Sequence, residues 1–449
     1  MRLRRPGPAD RARPWFLPGS VALGFVLLAL IAGQLDRRVL SDDTAFGFDG
    51  DAGAARTVLS TIAGSLITVA GLAFTLTILT VQLVSSQFTP RAIAVFLQDR
   101  FNQVTVGCFA GVFAYCVVVL RSIRSSDEAA GDSGFVPGLG VNLGILLGLG
   151  SVQLLVVFIY RVGRSIDVAD IATRLGRDTR RSVDGLYPDG FGTRLESEGG
   201  ELVAAWRALD EPRLLYAGKT GYVSQISLPG FTERLERYAG RVHLLVCPGD
   251  FVTERTVLAE IWVDPTVAEQ ATEGLADRVV VSSQRTLDQD SEFGVRQLTD
   301  IALRAISPGV NDPSTAVMCI GYLRDILEEL AGRDLPTGVV VSGQVTLVLR
   351  RRDFADYLHG SVIELSRYAS SDARVTSALL EALEGVASAA VTAGATDRAQ
   401  VVAAAIEAVS APALADARSE VDRGLLRRQM TRAQEAVRGG NEITSPTAR

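Results

Sequence analysis

Lysine, histidine, cysteine and aromatic residues are scarce in this chain, and the scarcity excludes a good deal of chemistry. Of 45 basic residues among 449, only Lys219 is lysine. The two histidines are His243 and His359. The four cysteines, Cys108, Cys116, Cys247 and Cys319, never fall at C-x-x-C spacing, and no H-x-x-x-H pair occurs. A zinc site or a disulfide framework needs more than this. Walker-type phosphate loops, G-x-S-x-G and H-E-x-x-H are missing too. We expect no catalytic residue, no metal and no cofactor. The net charge is −6, without the basic excess that nucleic-acid binding draws on, so no nucleic-acid partner is expected.

Charge is also missing locally. The first 160 residues carry long uncharged runs, and most charge lies beyond Arg161. Four runs approach the roughly 20 residues a membrane helix needs. They span about Trp15 to Leu35, Thr57 to Val84, Asn102 to Leu120 and Val141 to Tyr160. The N-terminal arginines Arg2, Arg4, Arg5, Arg11 and Arg13 precede the first run, and no clear cleavage site follows it. The first run therefore reads as an uncleaved anchor. Lys and Arg total thirteen in the N-terminal flank, the second loop and the segment after the fourth run, against five in the other two loops. The richer set belongs inside, which puts both termini in the cytoplasm.

No Asp, Glu, Lys, Arg or His lies at the centre of any span. Proton relays and voltage sensors use such residues, so both are disfavoured. The polar side chains that do occur are patterned. At about 100° per residue, Thr61, Ser65, Thr68, Thr75, Gln82 and Ser86 share an arc of the second span, with Gly64 and Gly71 at its edge. Such a stripe either lines a watery path or packs against helices. Gly107 and Gly111 form a G-x-x-x-G pair, and Gly140, Gly144 and Gly148 repeat every four residues. Faces of that kind let helices approach within one subunit or between subunits. Asn142 and Gln153 share a face of the fourth span and should avoid lipid. Between the second and third spans, Thr89-Pro90 starts a short amphipathic helix.

Beyond the last span, Arg161, Arg164, Arg174, Arg177, Arg180 and Arg181 either mark the inner side or hold a helix at an anionic leaflet. A β-rich stretch runs from Gly221 to Asp264. Its segment VHLLVCPGDFVTERTVLAEI resembles the half-motif of barrel-sandwich domains related to biotinyl and lipoyl carriers. Lys219 precedes the first strand instead of sitting at a hairpin tip, so only the geometry carries over. A strand at Val279–Val281 is followed by a helix from Ser291 to Ile306. Asp312 then reads as an N-cap, with Pro313 opening a helix that stops near Gly332. Asn311, Asp312, Ser314 and Thr315 form a polar loop that either binds a ligand or serves turn and cap. One strand, Gly343 to Leu349, precedes C-terminal helices.

The fold expected is a membrane α-helical part with four transmembrane helices, then a cytoplasmic mixed α+β domain. The latter has a small β-sandwich-like segment and C-terminal helices. The expected divisions are 1–163, a helical connector 164–218, an α+β domain 219–350, a helical region 351–438 and a disordered tail 439–449.

The runs GSLITVAGLAFTLTILTVQLVSSQFTPR and SSQRTLDQDSEFGVRQLTDIALRAISPGVNDPSTA, with the four-span layout, resemble a bacterial family of predicted membrane proteins, domain of unknown function 2254. The resemblance implies a bacterial inner-membrane location and supplies no catalytic residues. The functional expectation is an oligomeric channel or passive transporter for an ion or small solute, with a cytoplasmic regulatory or assembly domain. The partners expected are the lipid bilayer and further copies of the chain. The alternative is a membrane-anchored sensor or scaffold.

Overall fold

A computed structural model describes residues 16–38, 48, 50–87, 100–124, 135–165, 168–186, 199–333 and 338–443. The amphipathic helix expected from Thr89 falls outside them. The chain divides into two compact units, 1–170 and 171–449.

The first unit consists of four long helices: α1 (Phe16–Arg38), α2 (Ala52–Gln87), α3 (Arg100–Ser122) and α4 (Gly138–Ser165). Each contains an apolar window of mean hydropathy 2.0 to 2.2, as a membrane span requires. α2 has 36 residues. At 1.5 Å per residue it is about 54 Å long, well beyond a hydrocarbon core of about 30 Å. α3 is the inner helix, with 44% of its window buried against 11% to 17% for the other three. Its buried residues Phe109, Val112, Tyr115, Cys116 and Val119 join Leu59 and Ala63 of α2 and Val141 of α4 in one core.

Glycine sets how closely these helices approach. A side chain at Gly107 would meet backbone atoms of Pro18 at 2.9 Å, and one at Gly111 would collide with the Phe25 ring. α3 can thus lie against α1 only because both positions lack a Cβ. α4 meets α2 in the same way, with Leu59 2.7 Å from a Cβ at Gly144 and Ile62 3.1 Å from one at Gly148. Polar groups tie the helix ends. Asp36, buried at the end of α1, accepts from the backbone N–H groups of Leu139 and Gly140 at 3.0 Å each. These are orphan donors at the start of α4. The Tyr115 hydroxyl donates to the Gly140 carbonyl at 2.9 Å.

The second unit opens with α5 (Val168–Leu186) and α6 (Gly199–Leu209). Its strands are β1 (Arg213–Tyr216), β2 (Gly221–Ile226), β3 (Arg241–Leu244), β4 (Phe251–Val252), β5 (Val257–Trp262), β6 (Val279–Ser282), β7 (Val339–Ser342) and β8 (Val345–Leu349). Helix α7 (Leu228–Leu235) lies between β2 and β3, and α8 (Ala268–Thr272) precedes β6. A five-stranded sheet has the order β1-β5-β3-β8-β7, and a three-stranded one the order β4-β2-β6. Both sheets feed one core. Val223, Ile226 and Val252 of the small sheet join Val242, Leu244, Leu258, Ile261 and Leu347 of the large one, together with Phe231 of α7. The parallel pair β3 and β8 needs a long crossover. That crossover carries α9 (Ser291–Ala305) and α10 (Pro313–Gly332). A single strand was expected from Gly343; the structure has a β7–β8 hairpin, with Gly343 at positive φ in its turn.

The chain then forms α11 (Phe354–Leu358), a π-helical turn at His359–Ile363, α12 (Glu364–Ala369), α13 (Ala373–Thr392), α14 (Thr396–Asp416) and α15 (Glu420–Ile443). The last helix runs past Arg438, where a disordered tail was expected to begin at 439. α13 and α14 also have the length and hydropathy of a span, with windows at 1.3 and 1.2. Leu379, Leu383 and Val386 of α13 are fully buried, as are Val402 and Ile406 of α14.

Candidate functional site

The hydroxyl stripe of α2 lies on a face that its own unit leaves uncovered. Thr61, Ser65, Thr68, Thr75 and Gln82 are all exposed. Ser86 lies on the same helix, and its side chain is outside the described residues. Each hydroxyl bonds back to the turn before it. Thr61 donates to the Thr57 carbonyl at 2.7 Å, Ser65 to Thr61 at 2.8 Å, Thr68 to Gly64 at 3.1 Å and Thr75 to Gly71 at 2.9 Å. Back-bonding satisfies the donor and leaves oxygen lone pairs facing outward. A Cβ at Gly64 or Gly71 would meet nothing within 4 Å. Thr57, Thr61, Gly64, Thr68, Gly71 and Thr75 follow one another at alternating spacings of four and three, which keeps small residues along one seam.

The glycines of α3 and α4 behave oppositely. Gly107, Gly111, Gly144 and Gly148 are taken up by contacts inside the unit, and Gly140 sits beside Val119 and Asp36. They are packing positions within one copy of the chain. Asn142 is half-buried, whereas Gln153 is exposed on α4. The chain therefore does not shield both amides, although they share a helix face.

In the second unit the loop before α10 is accounted for by its own bonds. Asp312 caps the helix, accepting from the Thr315 N–H at 3.1 Å and the Thr315 hydroxyl at 2.5 Å. Those bonds hold its carboxyl below the ordinary aspartate range. Asn311 adopts positive φ (49°), and its N–H donates to the Ser307 carbonyl at 2.9 Å. Ser314 is exposed, and its backbone also bonds the Asp312 carboxyl, so turn and cap bonds account for the loop.

Sequence reasoning missed a largely buried ionic network at the other end of α9. Arg285 holds Asp290 with two bonds, Nε to Oδ2 at 2.7 Å and Nη2 to Oδ1 at 2.8 Å, and also reaches Glu292. Asp290 is the N-cap of α9, accepting from the Phe293 N–H at 3.1 Å. The turn Cys247–Asp250 abuts this pair. A Cβ at Gly249, where φ is 93°, would lie 2.5 Å from Asp290 Oδ2. Arg352 joins Asp250 to the same network at 3.3 Å. Burial raises the Asp290 carboxyl above its ordinary range, and Arg285 offsets part of that rise. Burial likewise pushes the Cys247 thiol up to about 12, far from an activated nucleophile. The signal for the network was present as an Arg, an Asp and a Glu crowded around the start of a helix.

The family model described as predicted membrane protein, DUF2254, matches residues 11–385. The chain belongs to that family. An uncharacterized protein of Mycobacterium bovis, Mb1321c, is 31% identical over 445 residues, covering 96% of this chain and 82% of its own length. Uncharacterized protein Rv1290c of Mycobacterium tuberculosis is similar to the same extent. No solved structure matches the chain. Membership in DUF2254 makes this a multi-pass membrane protein associated with the lipid bilayer.

Proposed function

We propose that the protein is an oligomeric channel or passive transporter of the bacterial inner membrane, without enzymatic activity. In this reading both termini and the second unit are cytoplasmic, and the second unit regulates or assembles the pore. The observation that supports it is the α2 face. The glycine seams of α3 and α4 are consumed within one copy, whereas the hydroxyl seam of α2, from Thr57 to Thr75, is left open. Hydroxyls bonded to their own helix still present oxygens to water or an ion. Copies arranged around α2 would turn that face towards a shared path. Ion or solute flux into proteoliposomes tests it. The wild type should conduct, and Thr68→Leu and Thr75→Leu should each lower flux about tenfold or more with folding intact. Unchanged flux in both variants would remove the stripe as a lining.

One feature favours a sensor instead. A groove of about 990 Å³ on the second unit is lined by Arg324, Glu328, Glu381, Glu384, Gln429 and Arg432. Ligand-induced protection of α13 from hydrogen exchange in the whole protein, without flux, would support that alternative.

A further inference from the structure

The arginines that follow the fourth span divide into two groups. α5 buries Ala172, Leu175, Gly176, Thr179, Ser182 and Val183 along one face. That face is fixed within the second unit. The Thr173 and Tyr322 hydroxyls are 2.6 Å apart, and a Cβ at Gly294 would collide with Thr179. Arg180 belongs to this packed side, bonding Asp325 and Glu329 at 2.7 Å each. Asp184 is held by Arg333.

Arg174, Arg177 and Arg181 lie on the opposite face at spacings of three and four, and all three are exposed. The same face carries Asp170, half-buried, and Asp178, which pairs with Arg181 at 3.3 Å. The exposed pair is worth little and is easily exchanged for another partner. Among the described residues no ion pair holds Arg174 or Arg177, and with Asp170 and Asp178 counted the face keeps a net positive charge. Chain connectivity limits how far they can be from a bilayer. α4 ends at Ser165 and α5 begins at Val168. The path from Ser165 spans at most about 20 Å to Arg174 and about 30 Å to Arg181, and an arginine side chain reaches several ångströms further.

We propose that this face of α5 binds the phosphates of anionic phospholipid headgroups. Guanidinium groups match phosphate oxygens in bidentate geometry, and a bilayer surface presents many of them in one plane. Spacings of three and four let three arginines meet that plane together. The buried face of α5 would then couple lipid charge to the rigid second unit. The inference needs α5 at a membrane surface and does not depend on transport.

The test uses the full chain in nanodiscs of phosphatidylcholine, with phosphatidylglycerol titrated in, and reads retained lipid by native mass spectrometry. Each arginine near such a surface contributes about a fivefold gain in affinity. Arg174→Gln/Arg177→Gln/Arg181→Gln should weaken phosphatidylglycerol retention at least about tenfold. The triple lysine variant at the same positions should keep most of it, because the charge is retained. Arg427→Gln/Arg428→Gln/Arg438→Gln, on exposed positions of α15, should leave it unchanged. Wild-type retention should fall as salt rises. Equal retention in the wild type and the folded α5 glutamine variant would overturn the proposal. So would equal preference for the neutral and anionic lipids.

Discussion

Single residues decide how close the membrane helices come. At Gly107 the obstacle to any side chain is the backbone of Pro18, which cannot rotate away. Gly107→Val should cost about 1–3 kcal/mol through overpacking, read as a lower midpoint of thermal unfolding in detergent. Gly64→Ala has open space to enter and should leave that midpoint unchanged in the single chain. Asp36 works by a different force. Asp36→Ala strands two N–H groups at the start of α4, and each buried unpaired group costs about 1–3 kcal/mol. The polar loop at Asp312 gives a pH-dependent case. Its carboxyl is held below the ordinary value of 3.8, so the capping stabilisation is present above that pH and is lost as pH falls through the lower folded value. Asp312→Ala should cost about 1 kcal/mol at neutral pH, and the difference from wild type should vanish in acid.

At the scale of elements, legibility followed local chemistry. α9 and α10 begin where Asp290 and Asp312–Pro313 place them, because caps act within three residues and can be read from a string. The four spans were legible because a bilayer imposes one length and one composition. The strand expected from Gly343 corresponds to β8, whereas β7, four residues just before a two-residue turn, was not anticipated. The Arg285 network was legible only in its local half. Arg285 and Asp290 are five residues apart, but Gly249 and Arg352 reach them only through the crossover between β3 and β8. Arg285→Ala removes the cation bound to buried Asp290 and should cost about 3–5 kcal/mol. The loss also raises the Asp290 carboxyl further. A raised carboxyl favours the fold at low pH and weakens it as pH rises through the folded value. Thermal unfolding of Arg285→Ala at several pH values should therefore show a smaller deficit from wild type under acid conditions than at neutrality.

For the whole molecule, sequence alone showed where a membrane part gives way to a mixed α+β part. It did not show which small-residue faces remain open, since that depends on which helices meet. α3 and α4 spend their glycines on α1 and α2, whereas among the described residues nothing covers Gly64 and Gly71 of α2. Light scattering of the detergent-solubilised protein should give a mass of several copies, and Gly64→Leu/Gly71→Leu should shift it towards one copy. A single-copy mass for the wild type would remove any path shared between subunits. Orientation is open to a separate measurement. A green fluorescent protein fused after Arg449 should fluoresce in cells, as it does only on the cytoplasmic side of an inner membrane.

α13 and α14 carry a consequence for biosynthesis. Their apolar windows, at 1.3 and 1.2, lie well below the 2.0 or more of α1 to α4. Much of that hydropathy comes from alanine, which an insertion channel reads as nearly neutral beside leucine or isoleucine. As the ribosome delivers them, these segments face two competing fates, capture by lipid or burial against α10 and α15. In the proposed topology of four crossings, alanine richness is what would tilt the race towards burial and keep the nascent chain from gaining a fifth and a sixth.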